Sequence, residues 1–136
     1  MPTYLMRLYS CQIFFAALVL LTTSALGGLL DKTAWDIDVT PTRQTADKGA
    51  KSFKDVLTFS EGKAASAELK RFGIGAVRYS ADGANGFYNW KTTPALKKKS
   101  AAEWAGVLNG RNIEGNLRWF TRDDRVLYYY IRGRKQ

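Results

Sequence analysis

The sequence predicts an all-β fold: an eight-stranded antiparallel up-and-down (meander) barrel, preceded by an N-terminal signal helix. Beyond residue 28 the chain alternates apolar and polar residues in short runs, which is the period of half-buried strands. Turn residues such as Asn109-Gly110 separate these runs, and connections this short join antiparallel neighbours. A meander with one apolar face leaves two unpaired edges unless it closes on itself, so we expect a closed barrel.

Residues 1–27 have the layout of a signal peptide. Arg7 precedes the uncharged apolar run 13–21, and small residues then follow. These small residues offer signal peptidase a cleavage point after Ala25 or Gly27. We therefore expect an exported protein, in the periplasm or outside the cell.

An uncleaved membrane anchor is the alternative for the N-terminal segment, because the apolar stretch 13–30 is barely long enough to span a bilayer. A lipoprotein is excluded, since Cys11 precedes the apolar run whereas a lipidated cysteine would follow it. Residues 28–136 are expected to form a single barrel domain.

The composition excludes several kinds of chemistry. The chain has no His, and its one Cys lies in the predicted signal peptide. Disulfides, the usual nitrogen and sulfur metal sites, and Ser-His or Cys-His catalysis therefore have no residues to use. Removing residues 1–27 takes away Arg7 and lowers the formal charge from +9 to +8. We expect a basic, monomeric protein that is not an enzyme and carries no cofactor or metal.

The first strand shows the alternation most clearly. Trp35, Ile37 and Val39 share one face, while Asp36 and Asp38 lie on the other. The eight predicted strands are residues 33–41, 52–63, 64–73, 74–83, 86–94, 102–108, 112–122 and 125–133.

The third and fourth strands carry the weakest signals. Residues 64–73 contain Ala, Glu, Leu and Lys, which also favour helix, but the inward alternation of Ala65, Ala67 and Leu69 favours a strand. The fourth and fifth strands are joined by residues 81–86, which hold Asp-Gly and Asn-Gly pairs typical of turns.

The sixth and seventh strands form a hairpin around Asn109-Gly110. Gly106 and Gly115 fall on its inner face beside Trp104 and Trp119. These glycines relieve crowding where strands bend, or leave room beside the tryptophans. The polar connection 41–51 is unusually long, and either covers the barrel mouth as a lid or is a solvated surface loop.

The layout resembles the calycin group, and most closely the small bacterial secreted lipocalin-like proteins. The resemblance depends on Trp35 in the first strand, the long loop after it, the meander, and a basic residue ending the last strand. It implies that Trp35 closes the barrel base and is covered by Arg132 or Arg134. The chain departs from the pattern at Thr33, where lipocalins have Gly, and it lacks their C-terminal helix.

The strand aromatics predict a wall for a hydrophobic ligand, since calyx interiors are mostly apolar. The function expected is non-catalytic binding of a small apolar or amphipathic molecule inside the barrel. The alternative is that these residues simply fill a barrel of this size. The candidate ligand-binding residues are Trp90, Trp104, Trp119, Tyr88, Tyr128 and Tyr130.

Basic residues suggest a second kind of partner. Lys97, Lys98 and Lys99 precede the sixth strand, and residues 132–136 form a basic tail. They indicate either an anionic lipid or glycan surface as partner, or only a solubilising surface. Nucleic acid is not expected, because the strand count does not fit an OB-fold and export removes the usual partner.

Two pairs of acidic residues remain. Asp36 and Asp38 lie on an outward strand face, and Asp123-Asp124 are in a turn. Solubility and turn formation explain both pairs without catalysis.

Overall fold

A computed structural model of the protein describes residues 28–94 and 100–136 and shows an all-β closed barrel. Its eight strands follow one another around the ring in chain order, each antiparallel to its neighbours. The expected fold class is therefore confirmed for the described part of the chain. The predicted signal helix and Lys97–Lys99 lie outside the described residues.

The strands are β1 (Thr33–Pro41), β2 (Phe53–Ser60), β3 (Lys63–Ser66), β4 (Val77–Ala84), β5 (Phe87–Thr92), β6 (Ala101–Asn109), β7 (Asn112–Phe120) and β8 (Val126–Lys135), and the helices are α1 (Arg43–Asp47) and α2 (Ala67–Lys70). Neither described helix is long and apolar enough to cross a membrane.

Period-2 alternation places the core inside the ring. On β1, Trp35, Ile37 and Val39 are buried, whereas Asp36 and Asp38 are exposed, as the sequence predicts. β1 closes the barrel by pairing with β2 on one side and β8 on the other. Closure pairs both the first and the last strand on each side, so neither is a sheet edge.

The third strand is shorter than predicted. β3 ends at Ser66 and the chain turns into α2, so Ala67 is exposed while Leu69 is fully buried. The cause is local hydrogen bonding. The Ser66 hydroxyl oxygen accepts from the Leu69 N–H at 3.0 Å and caps the helix. Asp55, a buried residue of β2, accepts from the Glu68 N–H at 3.0 Å and from the Ser66 hydroxyl. These donors and acceptors favour one helical turn over continued pairing.

The fourth strand begins later and ends later than predicted. It pairs with β3 at only two positions and then with β5 along its length as far as Ala84. The turn is confined to Asn85-Gly86, whose φ angles of 56° and 85° are the left-handed values a tight hairpin requires.

The two ends of the barrel differ in construction. The base holds the β2–β3, β4–β5 and β6–β7 turns and the segment 28–32, in which Leu30 is buried. The upper end holds α1, α2 and the β7–β8 turn, residues 121–125. Both ends are thus covered by chain, although the β5–β6 connection at the upper end is described only in part.

The long first connection is neither an open coil nor a detached lid. It contains α1, which is capped by the Thr42 hydroxyl. Thr45 within α1 is 1% exposed, and its Oγ1 accepts from the Tyr128 N–H at 3.0 Å. One buried side chain therefore fastens α1 to β8.

Candidate functional site

The barrel interior is packed with the aromatic residues that the sequence suggested as ligand contacts. Trp90 and Trp104 are each 3% exposed and belong to one continuous core. Phe59 lies between the Trp90 ring at 5.2 Å and the Tyr79 ring at 4.9 Å, both edge to face. Trp90 Nε1 is buried without a hydrogen-bond partner in the described part of the chain. A buried donor of this kind ordinarily bonds a polar acceptor.

Aromatic rings also fill the upper end. Trp119 is half-buried, with its ring 5.1 Å from Phe72 and 6.4 Å from Tyr129. Tyr129 in turn contacts Phe53 edge to face at 5.7 Å. Burial raises the pKa of the Tyr129 phenol. Tyr88 is half-buried lower in the barrel and packs against the core. The rings of Phe72, Trp119, Tyr129 and Phe53 thus form a chain of contacts at the upper end.

The two remaining candidate aromatics face outward. On β8, Leu127, Tyr129 and Ile131 are buried, which leaves Tyr128 47% and Tyr130 59% exposed on the outer surface. The interior tyrosine of this strand is therefore Tyr129, which sequence reasoning missed. Tyr129 is two residues from both Leu127 and Ile131, so the alternation of a strand puts all three on one face, and this spacing could have identified it.

Trp35 lies at the base, 2% exposed, and its Nε1 donates to Thr33 Oγ1 at 3.0 Å. Thr33, where the lipocalin pattern has Gly, thus supplies the acceptor for the indole. Arg132 and Arg134 are exposed and alternate outward on β8, on the opposite side of the sheet from the indole. The geometry does not bring either arginine together with Trp35.

The inner-face glycines bring strand backbones together. A Cβ built on Gly106 would lie 2.2 Å from Glu114 O, and one on Gly115 would lie 2.2 Å from Ala105 O. Gly106 and Gly115 pair directly across β6 and β7. Backbone atoms fill the space beside these glycines. The glycines therefore allow β6 and β7 to approach closely and do not leave room for a ligand.

A large concavity lies outside the barrel. We call it the outer groove: an open depression of about 930 Å³ across β5 to β8, bounded by the start of α1. Ala105 and Asn116, neighbours in the β6–β7 register, lie on its exposed floor. Tyr128 and Tyr130 line it from β8. Its charged and amide-bearing lining residues are Arg43, Gln44, Lys91, Glu103, Asn116 and Arg118.

Charge in the outer groove is partly neutralised. Arg118 forms an ion pair with Glu103, and its guanidinium lies 5.2 Å from the Phe120 ring centroid. The hydrogen bonds that the Arg118 guanidinium donates to Glu103 are the main cause of the raised pKa of Arg118. Arg43 and Lys91 form no ion pair with any residue that the structure describes. The groove lining therefore includes two cations and two exposed aromatic rings.

A second depression, of about 730 Å³, continues from the outer groove and shares Asn116 and Tyr130 with it. It passes over the Gly106 and Gly115 backbone toward β1 and includes Arg132, which pairs with Glu114 at 3.3 Å. The two depressions together form an extended trough along one side of the barrel.

The acidic pairs take part in turn and surface hydrogen bonds. Asp123 accepts from Arg125 at 2.9 Å and from the Thr121 hydroxyl, and both bonds organise the β7–β8 turn. Asp36 accepts from Gln136 at 2.8 Å on the outer surface. Within residues 28–94 and 100–136 there is no group of three or more Cys, Asp or Glu side chains placed to hold a metal ion.

Comparisons of the chain with protein-family models, curated proteins and solved structures find no match. The structure itself supplies an eight-stranded closed antiparallel meander, which is consistent with a calycin-type barrel.

Proposed function

We propose that the protein is a non-catalytic binding protein for a small amphipathic molecule, which it holds in the outer groove rather than inside the barrel. The observation that carries the proposal is the pairing of a large open groove with two exposed tyrosines, while the interior is packed. Ligand sites combine apolar or aromatic contact area with a few placed polar groups, and the groove has both.

The charges of the groove favour an anionic ligand. Tyr128 and Tyr130 offer ring faces to an apolar ring or chain. Arg43 and Lys91 are lining cations without an acidic partner among the described residues, so an acidic group on the ligand supplies one. The ligand expected is thus an aromatic or aliphatic molecule with one carboxylate, sulfonate or phosphate.

The test uses anilinonaphthalene sulfonate as the probe and phenylnaphthylamine, its uncharged relative, as the matched compound. Saturable binding of the anion is expected. The double variant Tyr128→Ala/Tyr130→Ala should weaken it about fivefold or more, because each aromatic contact contributes roughly 0.5–1.5 kcal/mol. The double variant Arg43→Gln/Lys91→Gln should weaken binding of the anion and leave binding of the neutral compound unchanged.

The control is Phe87→Ala, which removes an equally exposed aromatic side chain, 62% exposed, from the outer surface outside the groove. Its affinity should equal that of the unmodified protein. Tight probe binding that survives loss of both tyrosines and quenches tryptophan fluorescence would place the ligand inside the barrel and reject the groove.

A second candidate function is association with an anionic surface such as a lipid membrane. It is favoured by the turn that follows α2 at the upper end, where Phe72 is 55% exposed and follows the exposed cations Lys70 and Arg71 in the chain; Arg71 also forms an ion pair with Glu68 at 3.4 Å. The Arg122 guanidinium lies 3.5 Å from the position a Cβ on Gly73 would take, so a third cation lies beside this turn. An aromatic side chain among cations matches the interface of an anionic bilayer.

Vesicles with and without phosphatidylserine test this second candidate. Binding to the anionic vesicles should fall with added salt, and Phe72→Ala should weaken it while Phe87→Ala does not. Equal retention on neutral and anionic vesicles would eliminate the candidate without affecting the outer groove.

A further inference from the structure

The base of the barrel contains a carboxylate that accepts hydrogen bonds from three separate parts of the chain. Asp31 Oδ1 accepts from the Tyr79 hydroxyl at 2.7 Å, and the Gly62 N–H donates to the same carboxylate at 3.1 Å. The Gly28 nitrogen donates to Oδ2 at 2.7 Å. Asp31 therefore joins β4, the β2–β3 turn and the start of the barrel domain.

The structure around residue 28 leaves no room for a side chain. A Cβ built on Gly28 would lie 2.2 Å from the Tyr79 hydroxyl oxygen and 2.4 Å from its ring carbon Cζ. That hydroxyl is held in place, since it donates to Asp31 and accepts from the Leu30 N–H at 3.0 Å. Only glycine fits this position without displacing the tyrosine.

The sequence before Gly28 fits a processing point. Ala25 and Gly27 are the small residues that signal peptidase requires at the third and first positions before the bond it cuts, if that bond is Gly27–Gly28. Cleavage after Ala25 would instead put Thr23 at the third position and leave two further residues attached to Gly28.

From these two observations we infer that the Gly27–Gly28 bond is hydrolysed on export and that the Asp31 carboxylate then binds the new α-ammonium group of Gly28. Water is consumed across the amide, leaving a carboxylate on Gly27 and an ammonium on Gly28. The existing contact from an amide N–H then becomes a charge-assisted hydrogen bond, which is shorter and stronger. The inference does not depend on the proposed function.

The surroundings suit an ammonium group. The hydrogen bonds from Tyr79, Gly62 and Gly28 outweigh desolvation and hold the pKa of Asp31 below its usual value, so the carboxylate is charged at neutral pH. The titratable groups that face it are the Tyr79 phenol, whose pKa is raised, and Lys32, the neighbouring cation. The Gly28 ammonium therefore meets one full negative charge, and its own pKa should rise above the ordinary 7.7–8.0 or so.

The experiment has two readouts on the full chain expressed in a bacterial host that exports it. Intact mass and N-terminal sequencing should show a mature protein that begins at Gly28. A chain that begins at another residue, or that keeps residues 1–27, overturns the assignment of the bond.

The second readout is the pKa of the Gly28 amino group, titrated by nuclear magnetic resonance with ¹⁵N-glycine label. A value at least one unit above the ordinary one is expected, and Asp31→Asn should return it to the ordinary range. The matched control is Asp36→Asn, an exposed aspartate on β1, which should leave the value unchanged. An ordinary pKa in the unmodified mature protein overturns the ion pair even where sequencing finds Gly28 first.

Discussion

Replacing Gly115 by alanine places a methyl group where the backbone of the neighbouring strand already lies. The new Cβ would sit 2.2 Å from Ala105 O and 2.8 Å from Gly106 Cα. Both are backbone atoms of β6, so no side chain can swing away to relieve the contact. β6 and β7 must separate by about 1 Å or more, since ordinary contacts between carbon atoms are about 3.5–4 Å.

The expected loss of stability follows from that separation. Overpacking costs about 1–3 kcal/mol, and each weakened ladder hydrogen bond adds about 0.5–1.5 kcal/mol. A total of about 3 kcal/mol lowers Tm by roughly 12–24 °C for a domain of this size. Urea unfolding followed by circular dichroism, together with a thermal scan, measures both quantities.

Gly75→Ala is the matched control for Gly115→Ala. Nothing lies within 4 Å of a Cβ at Gly75, and the residue is not among those with a positive φ. Its stability should equal that of the unmodified protein or exceed it by a few tenths of a kcal/mol, roughly. If Gly115→Ala were as stable as Gly75→Ala, the close approach of β6 and β7 would be refuted.

Three further predictions concern the core, the α2 cap and the base. Trp104→Ala should lower the free energy of unfolding by about 3–5 kcal/mol, because it opens a cavity in a packed interior; a loss below about 1 kcal/mol in urea would contradict a filled barrel. Asp55→Ala should cost about 1–3 kcal/mol by leaving the Glu68 N–H unpaired, and hydrogen exchange should accelerate in α2 while the β6–β7 hairpin stays protected. Burial and the hydrogen bond to Asp31 raise the pKa of Tyr79. The protonated phenol therefore contributes fully to the free energy of unfolding below the ordinary pKa near 10, and this contribution is lost as the pH rises further. Tyr79→Phe should therefore flatten the alkaline fall in stability, and an unchanged slope above pH 10 or so would contradict this.

The sequence predicts those strands in which burial alone decides the alternation of apolar and polar residues. The alternation in β1 and the hairpin of β6 and β7 follow from period 2 and turn chemistry, and the structure confirms both. The turn lies one residue later than predicted: Asn109 pairs with Asn112 within the ladder, the turn residues are Gly110 and Arg111, and of Asn109 and Gly110 only Gly110 has a positive φ. The helix α2 was not predicted because its cap depends on Asp55, a residue of another strand whose position relative to Ser66 only the register reveals. Propensity favoured the helix at residues 67–70, but alternation outweighed it.

The candidate site could be predicted only in part. The aromatic residues are evident in the sequence, but which of Tyr128, Tyr129 and Tyr130 faces outward depends on the phase of β8 within the ring. The outer groove is harder still to foresee, because its floor at Ala105 and Asn116 joins strands whose register the sequence does not state. A groove on the outer face of a barrel carries no apolar period of its own.

The location of a bound amphipathic anion distinguishes binding in the outer groove from binding inside the barrel. A ¹H–¹⁵N spectrum recorded with saturating anilinonaphthalene sulfonate separates the indole N–H signals of Trp90 and Trp104 from the backbone amides of the groove. We expect the largest shifts at Asn116 and at residues 128–130, with both indole signals nearly unmoved. Large shifts at the Trp90 and Trp104 indoles, with the groove amides unchanged, would contradict this expectation and place the ligand inside the barrel.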